Sequence, residues 1–227
     1  MREIAVRLGV AKSSVSRWTR DIELTPEQRA ALERADDLTE RRRALAASAR
    51  SAAARERRRR AQEHGRTLAR RGDPLHQAGC MLFWAEGSRS RNHVRFTNSD
   101  LAMHRYFLRF LRRWYAVSDD DVGLSINCHL GHGLALEAIE RLWLDGLGLP
   151  PASLRASTVD VASRASKGVH RPLVHGTARL SVNSTWIAQS IYGAIQEYAG
   201  FDRPGWLDLD TPSRPVLPPP AVSDGAA

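Results

Sequence analysis

Residues 2–20 read REIAVRLGVAKSSVSRWTR. Ile4, Ala5 and Leu8 fall at helical spacing on one face, and Gly9 follows where a tight turn between helices needs a residue tolerant of positive φ. Val10 fills the corner. A second helix starts near Ala11–Ser13, with Ser13 or Ser14 as an early cap. Val15 and Trp18, three apart, are expected to face back onto the first helix. The small Ala5 lets the two helices cross closely. This Ala5, Gly9, Val15, Trp18 spacing is that of a helix-turn-helix. On that reading Lys12, Ser13, Ser14, Ser16, Arg17 and Arg20 lie on the outward side of the second helix. Such a helix sets its first residues against base edges in a major groove, while flanking Ser and Arg hold phosphates. The competing reading is a small helical pair with a solvated basic face.

Two short helices need a third for a core. Thr25–Ala35, with Thr25 as N-cap and Pro26 in the first turn, is a candidate that extends the unit from residues 1–26 to about residue 36. The alternative is a chain that begins upstream of Met1. Residues 27–72 follow, rich in Arg, Ala and Glu, and no Pro occurs in them. Leu32, Leu38 and Leu45 sustain no heptad, so the stretch reads as a polar helix or pair of helices linking two domains rather than a coiled coil. Arg57–Arg60 is its densest basic run, either a solvated face or a set of phosphate contacts.

Charge agrees with this division. The chain has 227 residues and a net charge of +9, and all but two of its 34 basic residues are Arg, the exceptions being Lys12 and Lys167. Residues 1–72 hold 19 basic and 10 acidic side chains, a difference of +9, and residues 73–227 hold 15 of each. A localised basic excess points to a polyanion, most simply nucleic acid. Arginine enrichment from a GC-rich genome is the other source of such a count. No apolar run is long enough to span a membrane, and MREIAVRLG shows no signal-peptide pattern. With only Cys80 and Cys128 the chain carries no disulfide framework, which fits a reducing cytoplasm.

Residues 73–202 hold nearly all the aromatics. HQAGCMLFWAEG (76–87) is an apolar helix ending in an acid and a glycine. SRSRN and HVRFTNS are short strand signals. DLAMHRYFLRFLRRWYAV is a helix with Met103, Phe107, Phe110, Leu111 and Trp114 on one face. Its opposite face carries Arg105, Arg109, Arg112 and Arg113, read as a solvated back. VGLSINCHL and TARLSVN alternate as strands. LALEAIERLWLDGLGLP and TWIAQSIYGAIQEYAG are helices, the second capped by Ser184 or Thr185. The outward positions of the three strands are Arg91, His93, Arg95 and Thr97; Ser125, Asn127 and His129; and Thr177, Arg179, Ser181 and Asn183. Almost no acid interrupts them, and such a face suits phosphate and base-edge contacts. The Pro-rich residues 203–227 read as a disordered tail.

HQAGCMLFWAEG, followed by two strands and a helix, resembles a LAGLIDADG-type domain of the homing-endonuclease kind. Leu82, Phe83, Ala85, Glu86 and Gly87 match the second half of that signature, with Glu86 at its acidic position. VRFTNSD, FLRFLR and LWLDGLGLP are similar to bacterial proteins that join a helix-turn-helix to a single LAGLIDADG-like domain. The resemblance covers roughly residues 2–26 and 76–200. It implies an α+β fold: an all-α helix-turn-helix, a helical linker, and a curved antiparallel sheet backed by helices that saddles duplex DNA.

In cleaving members of that family one acid from each of two signature helices binds divalent metal beside the scissile phosphates. A single signature therefore implies a homodimer and Mg²⁺ for a nuclease, with Glu86 as the metal-binding acid. Trp84 stands where the family has an earlier acid, and Met81 where it has a small residue. Without a partner, Glu86 caps a turn or pairs with Arg89 or Arg91. Cys128, His129 and His132 have the chemistry of zinc ligands but lack a second cluster, and no phosphate-binding Gly-rich loop occurs. The first expectation is a cytoplasmic, nucleoid-associated, sequence-selective DNA-binding regulator without cofactor or membrane partner. Its Lys12, Ser13, Ser14, Ser16, Arg17, Arg20, Arg91, His93, Arg95, Asn127, Arg179 and Asn183 meet duplex DNA. The alternative is a metal-dependent homodimeric endonuclease.

Overall fold

A computed structural model of the chain describes residues 1–129, 134–159 and 173–209. The chain is α+β and divides into two compact units, Met1–Ala53 and Ala54–Ala227.

The first unit opens with α1 (Arg2–Leu8) and α2 (Lys12–Trp18). Gly9 ends α1 in the left-handed region at φ 63° and ψ 27°. Val10 N–H donates to Ala5 O (3.0 Å) and Gly9 N–H to Val6 O (3.3 Å), a Schellman closure that only a residue free of Cβ strain forms cheaply. Ala5 and Val15 are buried as expected. Ile4, Leu8 and Trp18 are not: Trp18 is 60% exposed and Leu8 59%. Helices of two turns offer too little facing surface to enclose more than one position each. The cap of α2 also differs from expectation. Its N-cap is Ala11, with no side-chain bond, and Ser13 and Ser14 already lie inside the helix.

The segment read as a linker is one helix, α3 (Pro26–Ala69). Thr25 and Gln28 cap it reciprocally, Thr25 N–H donating to Gln28 Oε1 (3.0 Å) and Gln28 N–H to Thr25 Oγ1 (3.3 Å). Its last turns belong to the second unit. Arg58, Ala61, Gln62, Gly65, Leu68 and Ala69 are buried there, a stripe at helical spacing made mostly of small and polar residues.

The second unit continues with α4 (Pro74–Glu86), β1 (Val94–Asn98), α5 (Leu101–Tyr115), β2 (Val122–Cys128), α6 (Leu136–Leu147), β3 (Thr158–Val159), β4 (Thr177–Val182) and α7 (Thr185–Ala199). Asp73 caps α4, Asp100 caps α5 and Ser184 caps α7, each accepting backbone N–H bonds. The sheet order is β1-β4-β2-β3. β4 is antiparallel to both β1 and β2, but β3 runs parallel to β2, so the sheet is mixed rather than antiparallel. The reason is the path between β2 and β3. It runs through α6, and a helical crossover returns the chain in the same direction. SRSRN forms no strand. Only Gly87 bridges Phe96, and Ser88 N–H donates to Arg95 O at 2.9 Å.

One face of the sheet is apolar. Val94, Phe96, Val122, Leu124, Ile126, Ala178, Leu180 and Val182 are buried with Phe83, Phe107, Phe110, Leu111, Trp143 and Ile191 from the helices. Phe96 stacks on Phe107 at 4.6 Å between centroids. The beginning of the expected tail is ordered instead: Pro204–Asp208 forms a 3-10 turn that buries Trp206 and Leu207. Residues 210–227 lie outside the described residues. Among the described residues no helix is long and apolar enough to cross a membrane.

Candidate nucleic-acid interface

Each unit presents its own basic surface. In the first, Lys12, Ser13, Ser16, Arg17 and Arg20 are exposed and Ser14 is half-buried. At 100° per residue Lys12, Ser13, Ser16 and Arg17 share an arc of about 140° that excludes the buried Val15. Four of the six expected residues thus share one side of α2, while Ser14 falls outside the arc and Arg20 follows the end of the helix.

In the second unit the strand register lays the outward residues in rows. Arg95 sits opposite Ser181, and Ser181 opposite Gly123; Thr97 sits opposite Arg179, and Arg179 opposite Ser125. Asn127 pairs with Thr177 on one side and Thr158 on the other. Arg95 and Arg179 are thereby diagonal neighbours, with Cα atoms roughly 7–8 Å apart. Both are exposed. None of the four strands contains Asp or Glu. Thr97, Ser125, Asn127, Thr158, Thr177 and Arg179 line a shallow depression of about 230 Å³.

Arg155 joins this face, a residue that the alternation of the strands does not reveal. Its N–H donates to Leu124 O (2.7 Å), extending the sheet edge past β2. Its side chain lies over Gly123, where a Cβ would stand 3.4 Å from Arg155 Cγ and Nε and 2.8 Å from Ser181 Oγ. An added Cβ there would only touch the Arg155 side chain, and its tight approach is to Ser181 Oγ. A glycine inside an alternating strand is the signal for such a close approach.

The other expected contacts lie at the margins. Arg91 and His93 precede β1 and are half-buried, with His93 Nδ1 3.2 Å from Ser90 Oγ. Asn183 is exposed just past β4, and His129 just past β2. His132 lies outside the described residues.

Arg57–Arg60 does not form a free cationic run. Arg58 is buried, donating from Nε to Leu207 O and pairing with Asp208 at 3.0 Å. Arg59 and Arg60 both hold Glu56, at 2.8 and 3.1 Å, which brings the Glu56 carboxyl down to about 2. Arg57 is exposed and, among the described residues, enters no ion pair.

Glu86 is the last residue of α4 and is exposed. The bridge from Gly87 to Phe96 sets it beside the β1 edge of the sheet. Among the described residues no ion pair joins it to Arg89 or Arg91, and no cluster of three or more His, Cys, Asp or Glu side chains is arranged to hold a metal. Met81 packs against the unit's own core, and the Trp84 ring lies 5.6 Å from Phe201. No known family, curated protein or solved structure matches the chain.

Proposed function

We propose that the chain is a sequence-selective duplex-DNA-binding protein, a transcriptional regulator, in which α2 reads a site and the outward face of the sheet supplies a second DNA contact. The observation that carries this reading is the outward side of the strands, which hold no acid and set Arg95 and Arg179 among Thr97, Ser125 and Asn127, with Arg155 at the margin beside Asp120 and Asp121. Guanidiniums hold phosphate oxygens as forks, and hydroxyls and amides serve both phosphate and base edges. Selection of bound sites from random duplexes by the full chain tests it, with an enriched motif as the expected result. Replacing Arg95, Arg155 and Arg179 with Gln should weaken all duplexes alike and flatten the salt dependence by about 0.9 for each phosphate no longer neutralised. Absence of enrichment over input, together with an unchanged salt slope in that variant, would reject the reading.

A homodimeric, metal-dependent endonuclease is the second reading. The exposure of Glu86 at the sheet edge favours it, since a carboxylate there stands beside any duplex laid on the sheet.

A further inference from the structure

The second unit has another basic surface, on the far side of its layers. Helix α5 lies on the apolar side of the sheet, with the Phe107 ring on Phe96 and the His104 imidazole 3.0 Å from Ala178 O. Turning 100° per residue gathers Arg105, Arg109, Arg112 and Arg113 in one arc of about 100°, centred roughly 150° from that packed side. All four are exposed. With Gly146–Gly148 at the end of α6 they line an open groove of about 590 Å³.

Two of the four are tethered and two are not. Arg105 donates to Gly146 O, and Arg112 pairs with Asp119. Arg109 lies over the Tyr106 ring at 4.9 Å and Arg113 over Trp114 at 5.7 Å. Among the described residues no carboxylate meets either of them, so their N–H forks face outward unspent. Residues 73–227 are neutral in sum, so these cations are concentrated here rather than sampled from a general excess.

The stripe is about 12 Å long, eight residues at 1.5 Å each. Each strand of duplex DNA carries one charge per roughly 3.4 Å of axis, so a backbone laid along the stripe offers about three phosphates to the guanidiniums. Arg clusters also hold acidic peptide motifs, but a selective peptide site adds pockets for side chains. The groove is open, and Leu108 and Leu147 are its only large apolar lining residues.

We propose that the α5 stripe holds a second duplex segment, so that the unit bridges two pieces of DNA, one on the sheet and one on α5. This rests on the DNA-binding reading above. The test loads the full chain onto a bead-bound duplex, washes it, and measures capture of a fluorescent second duplex. R109Q/R113Q should load within twofold of the unsubstituted chain and capture less than a tenth as much second duplex. Equal melting temperatures would establish that both proteins are folded. A variant that captures normally overturns the proposal, since the second duplex is then held elsewhere, for instance by a second copy of the chain. Normal capture with lost binding of polyglutamate assigns the stripe to an acidic polypeptide and overturns it too. Loading without capture by the unsubstituted chain defeats the bridging inference alone, whereas failure to load the first duplex defeats the DNA-binding reading as well.

Discussion

Gly65 of α3 and Gly193 of α7 make a reciprocal notch where their helices cross. A Cβ on Gly65 would stand 1.8 Å from Ser190 O, and one on Gly193 would stand 1.9 Å from Gln62 O. Each helix thus lies against the other's backbone. Gln62 Nε2 donates to Gln189 Oε1 at 2.8 Å, and Gln189 Nε2 donates to Trp206 O at 3.1 Å, which satisfies the buried amides beside the notch. Alanine normally stabilises a helix by about 1 kcal/mol over glycine. Here Gly65→Ala and Gly193→Ala should each destabilise instead, by about 1–3 kcal/mol net, because backbone cannot move aside like a side chain. Urea midpoints of the full chain check this, and a raised midpoint would show that the helices are not in contact.

His76 gives the second unit a pH dependence of definite sign. It is fully buried among Phe110, Trp114, Tyr115 and Tyr198, with Nδ1 2.8 Å from the Tyr198 hydroxyl. Burial pushes its pKa down from 6.5 to about 4. The unfolded chain therefore binds the proton first. Stability is complete above pH 6.5 and falls as the pH drops towards 4, by at most about 3 kcal/mol. Urea unfolding at pH 7 and pH 5 should show the loss, and His76→Phe should shrink the difference between the two. An equal pH dependence in the variant would remove His76 as its source.

Gly9 and Arg17 test the first unit. No atom lies within 4 Å of a Cβ added at Gly9, so Gly9→Val meets no clash and only the backbone penalty of its φ of 63°. That penalty, about 1–2 kcal/mol, is large for a pair of two-turn helices, and site-specific binding should fall with it. Arg17→Ala should cost about 1–3 kcal/mol at one sequence and less at others. Fluorescence anisotropy at fixed salt measures both, and wild-type affinity in the two variants would take α2 out of the recognition surface.

Glu86 separates the two functional readings. One carboxylate holds Mg²⁺ poorly without phosphate oxygens or a second acid, and the Trp84 ring two residues earlier is engaged with Phe201 of the same chain. The expected outcome is an intact selected duplex after incubation with Mg²⁺ or Mn²⁺, and equal or slightly tighter binding by Glu86→Gln. Strand cutting that disappears in Glu86→Gln would make the endonuclease the first reading.

Much of the fold is readable in the sequence because single positions force it. Gly9 needs positive φ, Thr25–Pro26 and Ser184 mark helix starts, and Phe107, Phe110 and Leu111 set the packed side of α5. The alternation in β1, β2 and β4 places Arg95, Asn127 and Arg179 on one face. The docking of α3 is hidden because its inward stripe uses Ala61, Gln62 and Gly65, which do not read as apolar. Arg155 is hidden because it lies outside the strands, and only the pairing of Leu154 with Leu124 brings it to the sheet. Arg58 looks like its neighbours, and only the fold brings Asp208 to it.

The notch between Gly65 and Gly193 also bears on the order in which the protein is made. The last turns of α3 leave the ribosome about 120–130 residues before the helix that receives them, and at roughly 5–20 residues per second that interval is several to some twenty-five seconds. Through it Gln62 and Gly65 lack the α7 backbone and the Gln189 amide that meet them in the folded chain, while residues 1–53 of the first unit have already been made. A nascent chain therefore displays its α2 surface well before its sheet closes.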